Sequence, residues 1–119
     1  MKYILLIHQG DTPTPNDPEA WGRLSEEEQG AVYAAYGEIN NTPGVTAGVR
    51  MQPPEMATTI RTKGGRLVPT DGPFAETKEA LGGYLIYEAD DLDAALELAG
   101  KIPAASMGGA VEVRPLVED

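Results

Sequence analysis

The chain has 119 residues, of which 41% are hydrophobic, and a formal net charge of −10 at pH 7. This length fits one domain over residues 1–119, because a second domain would have too few residues for its own core. The negative charge argues against direct binding of nucleic acid or anionic membranes, since both depend on clustered Lys and Arg. Cysteine is absent, which excludes disulfides, thiolate catalysis and cysteine-based zinc sites.

The N-terminal segment "MKYILLIHQG" predicts a first strand over Lys2 to His8. Its residues are apolar at both alternating positions, which is typical of a strand covered on both faces. We expect one face to pack on the chain's own helices and the other on a partner subunit. The uninterrupted apolar run from Ile4 to Ile7 is too short for a secretory signal or a membrane span, so we expect a cytoplasmic protein.

A proline-rich loop with one helical turn around Pro18 to Gly22 is expected next, and Trp21 in it is either a lid over a pocket or a hydrophobic plug. Ser25 and Glu28 then form a capping box, which predicts a helix that runs to about Asn41. Glycines inside this helix indicate close packing on a sheet. They are Gly30 and Gly37.

The second half repeats the strand–helix–strand pattern after an inserted hairpin. A strand over Val45 to Arg50 is followed by a hairpin whose turn contains Gly64 and Gly65. A two-faced strand from Leu81 to Ala89, a helix that begins at Asp90 or Asp91 and ends near Gly100, and a last strand from Ala110 to Leu116 complete the chain. The order predicts an α+β, ferredoxin-like βαβ(hairpin)βαβ fold.

The segment "VPTDGPFAETKEALGGYLIYEADDLDAAL" resembles the signature of the DGPF proteins, a branch of the YCII-related family. The terminal segments "MKYILLIHQ" and "KIPAA…VEVRPL" are similar to the terminal strands of that family. The resemblance implies a homodimer in which two ferredoxin-like subunits form a dimeric α/β barrel around a small cavity. It also implies two alternatives, acid/base chemistry by a His and Asp pair or regulation together with an extracytoplasmic-function sigma factor.

Asp71 and His8 are the candidate catalytic residues. Asp71 precedes Gly72 and Pro73, where its carboxylate acts either as a pocket acid or base or as a cap for the turn. His8 is the one histidine of the sequence and hence its ordinary proton carrier at neutral pH. The family's His–Asp mechanism takes its histidine from another position, and this sequence has no second histidine.

Candidate ligand-binding residues lie on the predicted strands and in the DGPF segment. Arginines at strand positions, Arg50, Arg61 and Arg114, can bind a carboxylate or phosphate through two parallel hydrogen bonds, or can pair with neighbouring acids such as Glu112. The predicted ligand-binding residues are Arg61 and Arg114 together with two aromatic residues, Tyr84 and Phe74. Alternation places Tyr84 and Tyr87 on opposite strand faces, so at most one faces a cavity. Phe74 is either a ligand contact or a core anchor.

The glycine pairs match neither a dinucleotide fingerprint nor a phosphate loop, and we expect no metal or cofactor. Gly82 and Gly83 are expected to allow close approach of backbone, ligand or partner. Two functions stay open: a dimer that binds a small molecule, with or without enzymatic activity, and a non-enzymatic regulatory or protein-interaction module. An enzyme requires converging polar groups in its cavity, whereas an adaptor does not.

Overall fold

The computed structural model describes residues 1–71 and 81–118 and, within them, a mixed α+β fold. The DGPF segment after Asp71, including Phe74, lies outside the described residues. The described strands and α-helices are β1 (Lys2–His8), α1 (Pro18–Gly22), α2 (Glu26–Asn40), β2 (Val45–Arg50), β3 (Thr58–Lys63), β4 (Arg66–Asp71), β5 (Leu81–Glu88), α3 (Leu92–Gly100) and β6 (Ala110–Pro115).

Four of these strands form an antiparallel sheet in the order β2–β5–β1–β6. The strands β1 and β5 are central, so each exchanges backbone hydrogen bonds with a neighbour on both sides. The register sets Leu5 opposite Leu85 on one side and Val113 on the other. Hydrophobic side chains from three strands therefore meet on one face of the sheet.

The hydrophobic core lies on this face, which packs against the helices. Tyr3, Leu5 and Ile7 of β1 are buried, whereas the alternate residues Ile4 and Leu6 are only partly buried. We call the face that carries Ile4 and Leu6 the open face. The remaining core residues come from β5, α2, α3 and the segments beside them: Ile39, Leu85, Ala89, Ala95, Leu98, Ala99, Ile102 and Ala104.

The capping box at the start of α2 is confirmed. The Ser25 hydroxyl accepts a hydrogen bond from the Glu28 amide, and the Glu28 carboxylate accepts one from the Ser25 amide, each at 3.0 Å. The hydrogen bond from the Ser25 amide to the Glu28 carboxylate is the main reason that the pKa of Glu28 lies below its ordinary value. The inference drawn from Gly30 and Gly37 was wrong, because a Cβ added at either glycine would meet nothing within 4 Å.

The hairpin formed by β3 and β4 is a separate two-stranded sheet, as the glycine pair predicted. Gly64 and Gly65 have φ of +57° and +78°, a backbone conformation that favours glycine and suits a two-residue turn. Ile60 and Leu67 in the hairpin are mostly exposed. The hairpin therefore adds little to the core described above.

Candidate ligand-binding site

A cavity of about 290 Å³ lies between the helix-side face of the sheet and the segment that contains α1 and α2. We call it the Gln9 cavity. Its wall is largely apolar and includes Trp21, Val32 and Tyr33. The rings of Trp21 and Tyr33 meet edge to face, with centroids 5.5 Å apart and planes at 74°. This favourable aromatic geometry ties α1 to α2 beside the cavity.

Polar atoms converge at one end of the Gln9 cavity. Gln9 and Thr12 both line it, and their side-chain oxygens, Oε1 and Oγ1, are buried without a hydrogen-bond partner among the described atoms. A turn fixes the two residues, because the Thr12 amide donates a 2.8 Å hydrogen bond to the Gln9 carbonyl oxygen. Gly10 in this turn has φ of +55°. A buried acceptor without a donor is costly, so Gln9 and Thr12 mark a polar part of an otherwise apolar wall.

Tyr36 of α2 is an ionisable group in the cavity wall, and its pKa is shifted. Burial raises the pKa of its phenol above the ordinary value of 10.0, and hydrogen bonding with the Gln9 side chain partly opposes this rise. Burial disfavours the phenolate because the phenolate loses its hydration. The Tyr36 hydroxyl thus stays protonated at neutral pH and offers a polar contact beside Gln9.

The glycine pair of β5 positions the residues around this polar end. A Cβ at Gly82 would clash with the Gln9 side chain, and a Cβ at Gly83 would lie 2.6 Å from the Val49 carbonyl oxygen. The absence of both side chains lets Gln9 lie across β5 and lets the end of β2 come close. The expectation that these glycines allow close approach is confirmed.

A second, more polar cleft of about 690 Å³ adjoins the Gln9 cavity. It lies between the loop that follows β1 and the segment that follows β2. Four of the residues that line both spaces are Gln9, Thr12, Arg50 and Gly82. The two spaces therefore share a wall, and Arg50, an exposed residue at the end of β2, stands where they meet.

His8 and Arg114 lie on the open face of the sheet, and both contact Glu112. His8 Nε2 is 3.5 Å from Glu112 Oε1, and Arg114 Nη2 donates a hydrogen bond to Glu112 Oε2. The pairing of Arg114 with a neighbouring acid, one of the two alternatives, is thus observed. Neither His8 nor Arg114 belongs to the described lining of the Gln9 cavity.

The other predicted site residues are dispersed. Tyr84 contributes to the lining of the Gln9 cavity, although its position opposite Leu6 places its side chain on the open face by alternation. Arg61 is exposed on β3, in the separate hairpin. Asp71 ends β4, opposite Thr58, and its side chain, like Phe74, lies outside the described part of the structure.

Sequence reasoning missed the roles of Gln9, Thr12 and Tyr36 in a cavity. Trp21 was considered as a lid or plug, and its place in the wall is compatible with either role. The residues that line the cavity come from a loop, from two helices and from strands such as β5. Their positions in the sequence show no repeating pattern. In the described ranges, no group of three or more His, Asp or Glu side chains is arranged to hold a metal ion.

Comparison with known proteins places this chain in a family. Residues 1–118 match the YCII-related domain. An uncharacterised protein of Rhizobium meliloti (strain 1021) is 34% identical over 121 residues, which cover 98% of this chain and 92% of that relative. The chain therefore belongs to the YCII-related family, as its sequence resemblance predicted. No helix within residues 1–71 and 81–118 has the length and apolarity needed to cross a membrane.

We predict that Tyr36 deprotonates at higher pH than an ordinary tyrosine. Because its pKa is raised in the folded protein, its contribution to stability is complete below about pH 10 and is lost as the pH rises through the folded-state pKa. An alkaline titration followed by tyrosinate absorbance checks this, with Tyr36→Phe compared with a matched change at the exposed Tyr33, Tyr33→Phe. If only Tyr33→Phe removes the high-pH component, the assignment to Tyr36 is wrong.

Proposed function

We propose that this YCII-related protein binds a small organic molecule in the Gln9 cavity. The observation that carries the proposal is the meeting of an aromatic wall with two polar side chains, Gln9 and Thr12, whose buried oxygens have no partner among the described residues. Ligand sites are commonly concave, mostly apolar and supplied with a few placed polar groups. At about 290 Å³, the cavity is near the small end of the range of about 300–1,000 Å³ that such sites occupy.

The lining defines what a ligand must offer. The faces and edges around Trp21 and Tyr33 accommodate an apolar or aromatic group. We propose that the Gln9 and Thr12 side chains turn toward the ligand, so that a hydroxyl or N–H group on it satisfies oxygens that are otherwise buried at a cost of about 1–3 kcal/mol. Both features favour a molecule with an apolar body and at least one donor.

We further propose that the fold is ferredoxin-like and that two copies, as members of the DGPF branch, form a dimeric α/β barrel. The antiparallel strand order β2–β5–β1–β6, with helices against one face, supports the first statement. The second rests on the open face, where Ile4, Leu6 and Ile86 are apolar and only partly buried. Two such faces packed together would cover them, as the apolar pattern of β1 requires.

The acid/base hypothesis concerns the open face of the sheet and not the Gln9 cavity. Since His8 and Arg114 contact Glu112 on the open face, a barrel would enclose this cluster between subunits. We propose His8 and Asp71 as its acid/base pair, with Arg61, Arg114, Tyr84 and Phe74 as ligand contacts. The contact between His8 Nε2 and the Glu112 carboxylate orients the imidazole ring, and general acid/base chemistry depends on such positioning.

We predict that ligands of the Gln9 cavity change the fluorescence of Trp21, the one tryptophan of the chain. A thermal-shift screen of small carboxylates, phosphates, lactones and haloacids identifies compounds, and fluorescence titration then gives their affinities. Val32→Phe adds bulk to the cavity wall and should weaken binding about tenfold, a loss of about 1.4 kcal/mol. Leu96→Phe is the matched control, because Leu96 lies on the exposed side of α3.

The outcomes separate the hypotheses. Compounds that bind equally well to wild type and Val32→Phe, or no binding by any compound, would contradict the cavity proposal. If no compound binds, the result favours the alternative function. That alternative is a regulatory module that acts through a protein such as an extracytoplasmic-function sigma factor. If a bound compound is converted, His8→Gln and Asp71→Asn should abolish conversion, and full activity in both variants sinks the acid/base pair.

We predict a homodimer that a charge on the open face disrupts. Sedimentation velocity should show wild type as a dimer and Ile86→Glu as a folded monomer, because two glutamates would be desolvated at the interface. Leu96→Glu, on the helical side of the molecule, should stay dimeric. A monomeric wild type at every accessible concentration rules out the barrel.

A further inference from the structure

We infer that the ligand of the Gln9 cavity carries an anionic head group that Arg50 binds at the junction with the second cleft. This inference rests on the proposed function and adds a chemical class to it. The ligand is an acid with an apolar, ring-sized body. Its body lies in the Gln9 cavity and its carboxylate or phosphate lies at Arg50.

The position of Arg50 is the first argument. Arg50 lines both the apolar cavity and the polar cleft, and the backbone at Gly83 fixes the end of β2 that carries it. The Met51 amide donates a 2.8 Å hydrogen bond to the Gly82 carbonyl oxygen just beyond it. Arg50 therefore projects from a backbone that is anchored on both sides, at the point where a ligand would leave the apolar chamber.

The charges around the two spaces are the second argument. Among the described residues that line either space, Arg50 is the one with a basic side chain. No hydrogen bond or ion pair joins its guanidinium to another residue in the described ranges. The chain has 19 acidic residues and 9 basic ones, so it is notable that Arg50 has no acidic partner within residues 1–71 and 81–118.

The two described acidic residues of the cleft, Asp17 and Glu55, form no ion pair with Arg50. Asp17 caps α1, since its carboxylate accepts a hydrogen bond from the Ala20 amide at 3.2 Å. Glu55 lies in the short helical turn after β2 and forms no ion pair with Arg50. With a net charge of −10, the molecule as a whole repels anions, so the binding of an acid depends on a local contact such as Arg50.

Guanidinium chemistry defines the head group. A planar guanidinium binds a carboxylate or a phosphate through two parallel hydrogen bonds, and hydrogen bonds between charged groups contribute more than neutral ones. An uncharged analogue with the same body keeps the apolar contacts and loses this contribution. The difference in affinity between an acid and its neutral analogue therefore reports on Arg50 and not on the cavity.

Titrations with three probes test the inference: phenylacetate, phenyl phosphate and the neutral 2-phenylacetamide. Trp21 fluorescence and calorimetry give the affinities at low ionic strength, where electrostatic contacts are least screened. We expect at least one acid to bind about tenfold or more tightly than the amide. Arg50→Gln should reduce the acid to the affinity of the amide and leave the amide unchanged. Arg66→Gln, at the start of β4, removes the same charge elsewhere and should have no effect.

Each result has one meaning. Equal affinities of acids and amide in wild type, or a preference that survives in Arg50→Gln, overturn the anion inference while the cavity proposal stands. No binding of any probe, with wild type folded, contradicts the inference and the cavity proposal together for ring-sized ligands. A preference for phenylacetate over phenyl phosphate assigns a carboxylate head, and the reverse order assigns a phosphate.

Discussion

The close approach that Gly82 and Gly83 allow is the constraint on which the candidate site depends. β5 occupies the centre of the sheet, between β1 and β2, and its two glycines lie where the Gln9 side chain and the Val49 backbone come nearest to it. Any side chain at these positions would occupy that space. The glycine pair lowers the intrinsic preference for a strand, but it sets the relative positions of the Gln9 turn and the end of β2.

The two faces of the sheet have different roles because β1 alternates between two kinds of surroundings. Tyr3, Leu5 and Ile7 pack in the core, on the side that also holds the Gln9 cavity. The intervening residues form the open face, which ends in the cluster of His8 with Glu112. One short strand thus serves an internal cavity on one side and a proposed subunit interface on the other. Binding and assembly can therefore be altered by separate substitutions.

The sequence predicted elements that local patterns control. The bounds of β1 and β2, the capping box at Ser25 and the turn at Gly64 all follow from residues adjacent in the chain, and all are confirmed. Gly100 was expected to end its helix, and the helix does end there, although Lys101 is the capping residue. Such features depend on backbone geometry over a few residues, so a single sequence carries enough information.

The candidate site depends on contacts between distant residues, which composition and spacing do not reveal. Gln9 meets Tyr36 because a turn after β1 lies against α2. Arg50 lines the same cavity because β2 pairs with β5. A glycine can lie in a helix where nothing packs closely against it, as Gly30 does. The interpretation of Gly30 failed for that reason, whereas the same reasoning succeeded for Gly82. The difference lies in what packs against each residue.

The affinity of Gly82→Ala for phenylacetate, followed by Trp21 fluorescence, tests the central claim most directly. The added methyl group must displace the Gln9 side chain, so we predict at least about tenfold weaker binding by a protein that is still folded. Gly30→Ala, where the structure leaves open space, should bind like wild type. Unchanged affinity in Gly82→Ala would contradict the claim that the contact between Gly82 and Gln9 organises the site.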